Sequence, residues 1–308
     1  MPQSASAADL DEAGRRLTQA AQHIDAGKLD EAVSLCSAAI EELPRDGAAQ
    51  PLLIKAYERL ILARERQGLG ARAARVFRSY VRDCAPPCDA DYDNEYAYGL
   101  RATQSSPVPL RRRERFYSLV QLLGEVLPLQ GLVAECGVYR GLSSYMLCRR
   151  IQRASPAFDG GGYRIFDSFA GLSAPGAEDA YDLNAPGAPT LVEMMRPGAF
   201  AATLDEVKAA LADFPRIEYF PGWIPKAFPA DDARYRFVHL DVDLFQPTND
   251  SLEYFYPRLV AGGRIVCDDF NWPGGRRAIE EFAARVGARL SITEQNQALI
   301  EGATGLQA

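Results

Sequence analysis

FVHLDVDLF, residues 237–245, is an apolar run that ends in two carboxylates, Asp241 and Asp243. A short apolar stretch flanked by helical patterns reads as a strand buried in a parallel sheet. Similar stretches lie on either side: LVAECGV (132–138), YRIFDSF (163–169), RIEYF (216–220) and GRIVCDDF (263–270). Helical patterns separate them at 111–127, 142–153, 203–213, 247–260 and 275–287. Thr203 and Glu206 form the T-x-x-E capping box at one helix start. RLSIT and QALIE, joined by a short polar turn, read as an edge hairpin. The alternation predicts an α/β fold with a mostly parallel seven-stranded sheet covered on both faces.

In such sheets ligands bind beyond the carboxyl ends of the strands. The first strand ends in AECGVYRG, with Glu135, Gly137 and Gly141 where strand passes to helix. Glycines there admit a ligand close to the backbone, and the helix start offers free N–H groups. The pattern is not G-x-G-x-x-G, which argues against a dinucleotide. The second strand ends at Asp167, which either holds the ribose hydroxyls of a nucleoside or caps a helix. Taken together, Glu135, the glycines and Asp167 predict a nucleoside pocket.

Asp241 and Asp243 are expected on one face of their strand, because strand side chains alternate. Asp268 and Asp269 end the next strand after an apolar run. Four carboxylates converging on a half-buried spot need a positive partner. A hard divalent cation, magnesium above all, is the expected one.

The front of the chain is helical. GKLDEAVSLCSAAIEELP, residues 27–44, carries Gly27, Ala32, Cys36, Ala39 and Pro44 at the spacing of a tetratricopeptide repeat. Gly68, Ala73, Phe77 and Tyr80 echo it 41 residues later, which predicts a longer first helix in the second unit. An unrelated pair of helical hairpins fits the same residues. Residues 1–88 are thus expected as a small all-α domain. Residues 89–110 are expected as a linker, or as a lid in which Tyr92, Tyr96 and Tyr98 cover a pocket. Residues 111–308 form the α/β domain. Arg111, Arg112, Arg113 and Arg115 read as a solvated helix start.

A net charge of −7 argues against a broad nucleic-acid or anionic-membrane surface. No apolar run reaches the roughly 18 residues of a spanning helix. Six scattered cysteines and only two histidines exclude a zinc set and most Ser-His or Cys-His arrangements, and point to a cytoplasmic protein.

ECGVYRGLSS, FDSFAGLS, FVHLDVDLF and GGRIVCDDFNWPGGRRAIEEF together resemble the macrocin O-methyltransferase family. These are class I, Rossmann-like, S-adenosylmethionine-dependent enzymes that methylate sugar hydroxyls, generally with magnesium. The resemblance covers about residues 111–300 and leaves the front helices outside. It implies that Glu135, Gly137, Gly141 and Ser143 face the methionine part of the cofactor. Asp167, with Ser168, then holds the ribose, and Gly222 and Trp223 lie near the adenine. Asp241, Asp268 and Asp269 would be metal ligands, Asp241 also bordering the cofactor, and Asp243 the general base. Residues 172–202 match the family poorly where it borders the acceptor, so the acceptor is expected to be a sugar-bearing or vicinal-diol small molecule other than the macrolide sugars. A homo-dimer or higher oligomer is expected.

Rival readings are a metal-dependent catechol methyltransferase, a scaffold working through its helices, and a nucleotide-sugar oxidoreductase. The last lacks both the glycine fingerprint and a Tyr-x-x-x-Lys pair. Trp272 either lines the acceptor site or packs in the core.

Overall fold

The computed structural model describes residues 6–45, 47–180 and 194–302. It divides into two compact units: one takes the chain up to Asp89 with Ser106–Glu114, the other Ala90–Ser105 with the chain from Arg115 onward.

The first unit holds α1 (Ala7–Asp25), α2 (Leu29–Glu42), α3 (Gln50–Arg66) and α4 (Gly70–Asp83). Gly27 and Gly68 turn the chain inside each hairpin with left-handed φ of 73° and 72°. Ala32, Cys36 and Ala39 are buried on α2, and Ala73, Phe77 and Tyr80 on α4. The longer first helix does not occur: α3 has 17 residues and α1 has 19. The extra spacing falls in the α2–α3 connection, which contains a 3-10 turn at Gly47–Ala49.

The expectation of a solvated helix start fails for Arg113. Arg113 is 1% exposed and donates to Pro86 O and Glu114 Oε1 at 3.0 and 3.1 Å, so its charge is matched inside the first unit.

The second unit is built on seven strands: β1 (Leu132–Cys136), β2 (Tyr163–Asp167), β3 (Glu218–Pro221), β4 (Tyr235–Leu240), β5 (Leu259–Cys267), β6 (Leu290–Ile292) and β7 (Ala298–Glu301). Their order is β3-β2-β1-β4-β5-β7-β6. All neighbours are parallel up to β5, while β7 runs antiparallel between β5 and β6. Strand order reverses between β1 and β4, which opens a crevice at their carboxyl ends.

The helices of this unit are α5 (Ala90–Ala102), α6 (Arg112–Val126, most of it here), α7 (Leu142–Ala154), α8 (Leu204–Ala210), α9 (Phe245–Phe255) and α10 (Pro273–Val286). On one face of the sheet Phe166, Val238, Leu240 and Ile265 join Leu252 and Phe255 of α9 and Ile279 and Phe282 of α10. The Phe166 ring stacks on Phe220 at 4.7 Å and meets Phe228 and Phe255 edge-on. The alternate residues Val133, Ile165, Phe237 and Val266 are equally buried, so both faces are covered. The capping box at α8 is present, with Thr203 Oγ1 and Glu206 exchanging bonds with each other's backbone N–H.

Part of the segment expected as a linker or lid is helical. Residues 90–102 form α5, packed on α7, with Tyr92 and Tyr96 fully buried and only Tyr98 exposed. Tyr92 meets Tyr117 of α6 edge-on at 4.9 Å. Tyr92 and Tyr96 are core residues of the second unit.

Candidate active site

The carboxyl ends of β1, β2, β4 and β5 lie side by side. Four non-glycine residues with left-handed backbone stand among their loops: Tyr139 after β1, Phe169 after β2, Phe200 before α8 and Asp243 after β4. Such strain gathers where a site is held in shape by its surroundings.

After β1 the chain makes a tight turn. Gly137 has φ 75°, and a Cβ there would sit 1.9 Å from Asp241 O, so this glycine answers to the β4 loop pressing against it. Gly141, left-handed at φ 83°, is the N-cap of α7 and provides no side-chain cap. The first N–H groups of that helix are therefore free of an internal side-chain partner, a setting that suits a polar or anionic ligand. Ser143 is buried in the first turn.

Asp167 ends β2. Its Oδ2 accepts from Val138 N at 2.7 Å and its Oδ1 from Phe169 N at 2.6 Å, which ties the β1 and β2 loops together. Burial raises its pKa against the pull of these backbone bonds. Tyr139 N–H adds a third backbone donor, which leaves the carboxylate room for one more. Ser168 Oγ donates to Gly171 O and accepts from Ala170 N, so it shapes the loop. Gly222 follows β3 with φ 141° and donates its N–H to Asp167 O, while Trp223 beside it is 46% exposed.

Glu135 lies beneath the β1 turn, inside the sheet. It is fully buried, with Oε2 accepting from Tyr163 Oη at 2.8 Å and from Ser144 Oγ, and Oε1 lying 2.8 Å from His239 Nδ1. The carboxylate is occupied inside the sheet and braces β1 against β2 and β4.

The acids converge, though not by strand alternation. β4 ends at Leu240, so Asp241 and Asp243 lie beyond it. Asp243 is placed by its own left-handed turn, φ 62°. Asp269 Oδ2 accepts from Val242 N at 3.0 Å and Asp243 N at 2.7 Å, which fixes that turn. Ligand-capable atoms of Asp241, Asp243 and Asp269 lie within 4.8 Å of one another, and those of His239, Asp241 and Asp268 do likewise. Asp241 is common to both groups. Burial, then the neighbouring carboxylates, push Asp241 and Asp269 well above the ordinary carboxylate range. The same causes push Asp243 up to about 8.

Part of the positive charge that the acids need comes from the protein. Arg115, half-buried on α6, forms an ion pair with Asp268, whose other oxygen accepts from Gln297 Nε2 at 2.8 Å. Burial works against the charge of Arg115, but Asp268, Asp241, Asp269 and Asp243 outweigh it. The expectation of a solvated helix start thus fails for Arg115 as well. Arg115, Gln297 and His239 were not foreseen. Arg115 and Gln297 lie 153 and 29 residues from Asp268, and only the fold joins them.

Asp179 is a further addition. It is 7% exposed, and its Oδ1 accepts from Phe245 N at 2.7 Å, two residues after Asp243. The part of 172–202 around it therefore meets the acid loop. Residues 181–193 of that segment lie outside the described residues. Trp272 is half-buried as the N-cap of α10.

The fold and the sequence have known counterparts. A Streptomyces olivaceus protein, 8-demethyl-8-(2,3-dimethoxy-alpha-L-rhamnosyl)-tetracenomycin-C 4'-O-methyltransferase, is 30% identical over 196 residues, 61% of this chain and 70% of that protein. Demethyldecarbamoylnovobiocin O-methyltransferase of Streptomyces niveus is 27% identical over 191 residues, 60% of this chain and 70% of its own. Among solved structures, the O-methyltransferase NovP superposes with a TM-score of 0.51 at 24% identity, over 62% of this chain and 80% of that one. The calicheamicin methyltransferase CalS11 gives 0.52 at 19% identity, over 70% and 94%. These two likenesses carry the fold, a class I methyltransferase sheet. Residues 110–297 match the macrocin-O-methyltransferase family, and the chain belongs to that family of S-adenosylmethionine-dependent O-methyltransferases.

Proposed function

We propose that this enzyme methylates a hydroxyl of a sugar carried by a natural product, with a divalent cation, magnesium first, at the acid cluster. The observation that carries the reading is the convergence of Asp241, Asp243, Asp268 and Asp269 at the ends of β4 and β5. The names of the two curated relatives support it, since one is a methyltransferase of a rhamnosyl tetracenomycin and the other a demethyldecarbamoylnovobiocin O-methyltransferase.

The residues present fit a hard cation. They offer carboxylate oxygens, and the cluster holds more acids than Arg115 alone can offset. Asp241, Asp268 and Asp269 would hold it. When bound, the cation would lower the pKa of a coordinated hydroxyl and orient it. The cofactor, when bound, supplies a methyl group activated by its sulfonium.

The chain itself does the rest. Asp167 and the start of α7 hold the nucleoside and amino-acid ends of the cofactor, with Gly222 and Trp223 bordering the base. Asp243 accepts the proton of the attacking hydroxyl, and its elevated affinity for protons suits that task. Asp269 holds the Asp243 turn through two backbone N–H groups, so the base is preset. Burial of these acids strengthens each interaction.

The test is transfer of labelled methyl from S-adenosylmethionine to a panel of rhamnosylated and other glycosylated aromatic polyketides, with catechols alongside. Labelling of a sugar hydroxyl, abolished by chelator and restored by magnesium, supports the proposal. Labelling of catechols alone, or indifference to chelator, refutes it.

A further inference from the structure

His239 stands on β4 directly across from Glu135 of β1, and both side chains are fully buried. Three groups converge on Glu135: Ser144 Oγ and Tyr163 Oη donate to one oxygen, and His239 Nδ1 lies 2.8 Å from the other. A carboxylate that collects three donors is the acceptor in each bond, so His239 Nδ1 carries the hydrogen that faces it. That leaves Nε2 as the open position of the ring. Nε2 is buried and has no hydrogen-bond partner among the described residues. The ring also belongs to the group with Asp241 and Asp268, whose ligand-capable atoms lie within 4.8 Å of one another. With Nδ1 taken by Glu135, Nε2 is the nitrogen available to that group.

A histidine that donates one ring N–H to a buried carboxylate is held in the tautomer whose other nitrogen can take a metal. We propose that His239 Nε2 is a ligand of the divalent cation, beside Asp241 and Asp268, with Glu135 fixing its tautomer. The inference rests on the proposed cation at the acid cluster and specifies its ligand set. A nitrogen donor among carboxylates changes the preference of the site. Imidazole suits cobalt, nickel and zinc better than magnesium, so borderline transition ions bind more tightly here than at an all-oxygen site. The rival role for His239 is that of a fixed cation, a ring protonated on both nitrogens that balances the acids. The two roles have opposite signs. Removing a ligand weakens cation binding, whereas removing a positive charge strengthens it.

The experiment measures Co2+ and Mg2+ binding to the full-length protein by calorimetry, with the Co2+ absorption spectrum, in the native chain and in His239→Gln. The ligand role predicts that His239→Gln weakens Co2+ about 10- to 100-fold and alters its spectrum, with a smaller loss for Mg2+. Unchanged or tighter Co2+ binding in a His239→Gln protein that melts cooperatively overturns the proposal. A second measurement needs no variant. With 15N-labelled histidine in the native chain, Zn2+ should move the Nε2 resonance of His239 while Nδ1–H persists. An Nε2 resonance that stays put at saturating Zn2+ overturns the proposal. If the native chain binds no divalent ion at all, the cation reading falls first. Binding that ignores His239 sinks only the ligand assignment.

Discussion

The backbone N–H of Asp243 lies 2.7 Å from Oδ2 of Asp269, so the end of β5 sets the conformation of the residue that follows β4. Asp243 is left-handed at φ 62°, a strained state for an aspartate, and this bond together with that from Val242 N holds it there.

Because the bond uses the backbone, Asp243→Asn keeps the turn and removes only the carboxylate. Methyl transfer should fall about 10²- to 10⁴-fold, the usual worth of a positioned base. Binding of S-adenosylmethionine, followed by calorimetry, should be almost unchanged. Near-native turnover in this variant would reject Asp243 as the proton acceptor.

Arg115 occupies part of the electrostatic role expected of a metal. Replacing it with Met removes a fixed positive charge facing four carboxylates. Affinity for Mg2+ in the cofactor-free protein, read by calorimetry, should rise. A weaker affinity would mean that Arg115 holds Asp268 in its liganding position.

Proton linkage gives a third expectation. Burial and the neighbouring acids push Asp243 up to about 8 and Asp241 and Asp269 well above the ordinary range, so without cation these acids keep their protons to higher pH than ordinary carboxylates. A cation must displace them. Their raised pKa values mean that the deprotonated, cation-ready form grows as pH rises. Affinity should therefore increase from pH 6 toward pH 8, with proton release detectable as a buffer-dependent heat. A pH-independent affinity would contradict these shifts.

Gly137→Ala should be costly. The new Cβ would press on Asp241 O at 1.9 Å, and the residue already has φ 75°. A loss of about 3–4 kcal/mol in unfolding free energy is expected, the range of severe single substitutions. Gly198→Ala, at φ 80° with nothing within 4 Å of its Cβ, isolates the backbone part at about 1–2 kcal/mol. Chemical denaturation of both variants measures the difference, and equal losses would remove the clash argument.

Much of this molecule was legible in the chain. FVHLDVDLF and GGRIVCDDF are apolar runs that only a buried strand explains, and β4 and β5 pair in parallel with their acids at the same end. The glycines at 27 and 68 stand where a hairpin needs left-handed backbone. What escaped reading is what depends on tertiary partners. Tyr92 and Tyr96 sit among acids and prolines, so the local pattern looked like a linker, and only packing within the second unit makes them core. Arg115 sits in a run of arginines that any solvated helix could display, and its partner is 153 residues away. Glu135 carries a family motif, but its bonds to Tyr163 and His239 come from neighbouring strands that no spacing reveals.

The collision awaiting any side chain at residue 137 has a meaning for how this enzyme can change. The turn that leads into α7 and the loop that carries Asp241 share a wall with no slack between them. Neither can be lengthened, shifted or loosened without disturbing the other. Variation in acceptor choice must therefore come from elsewhere in the chain, and attempts to retarget this catalyst should leave both loops alone.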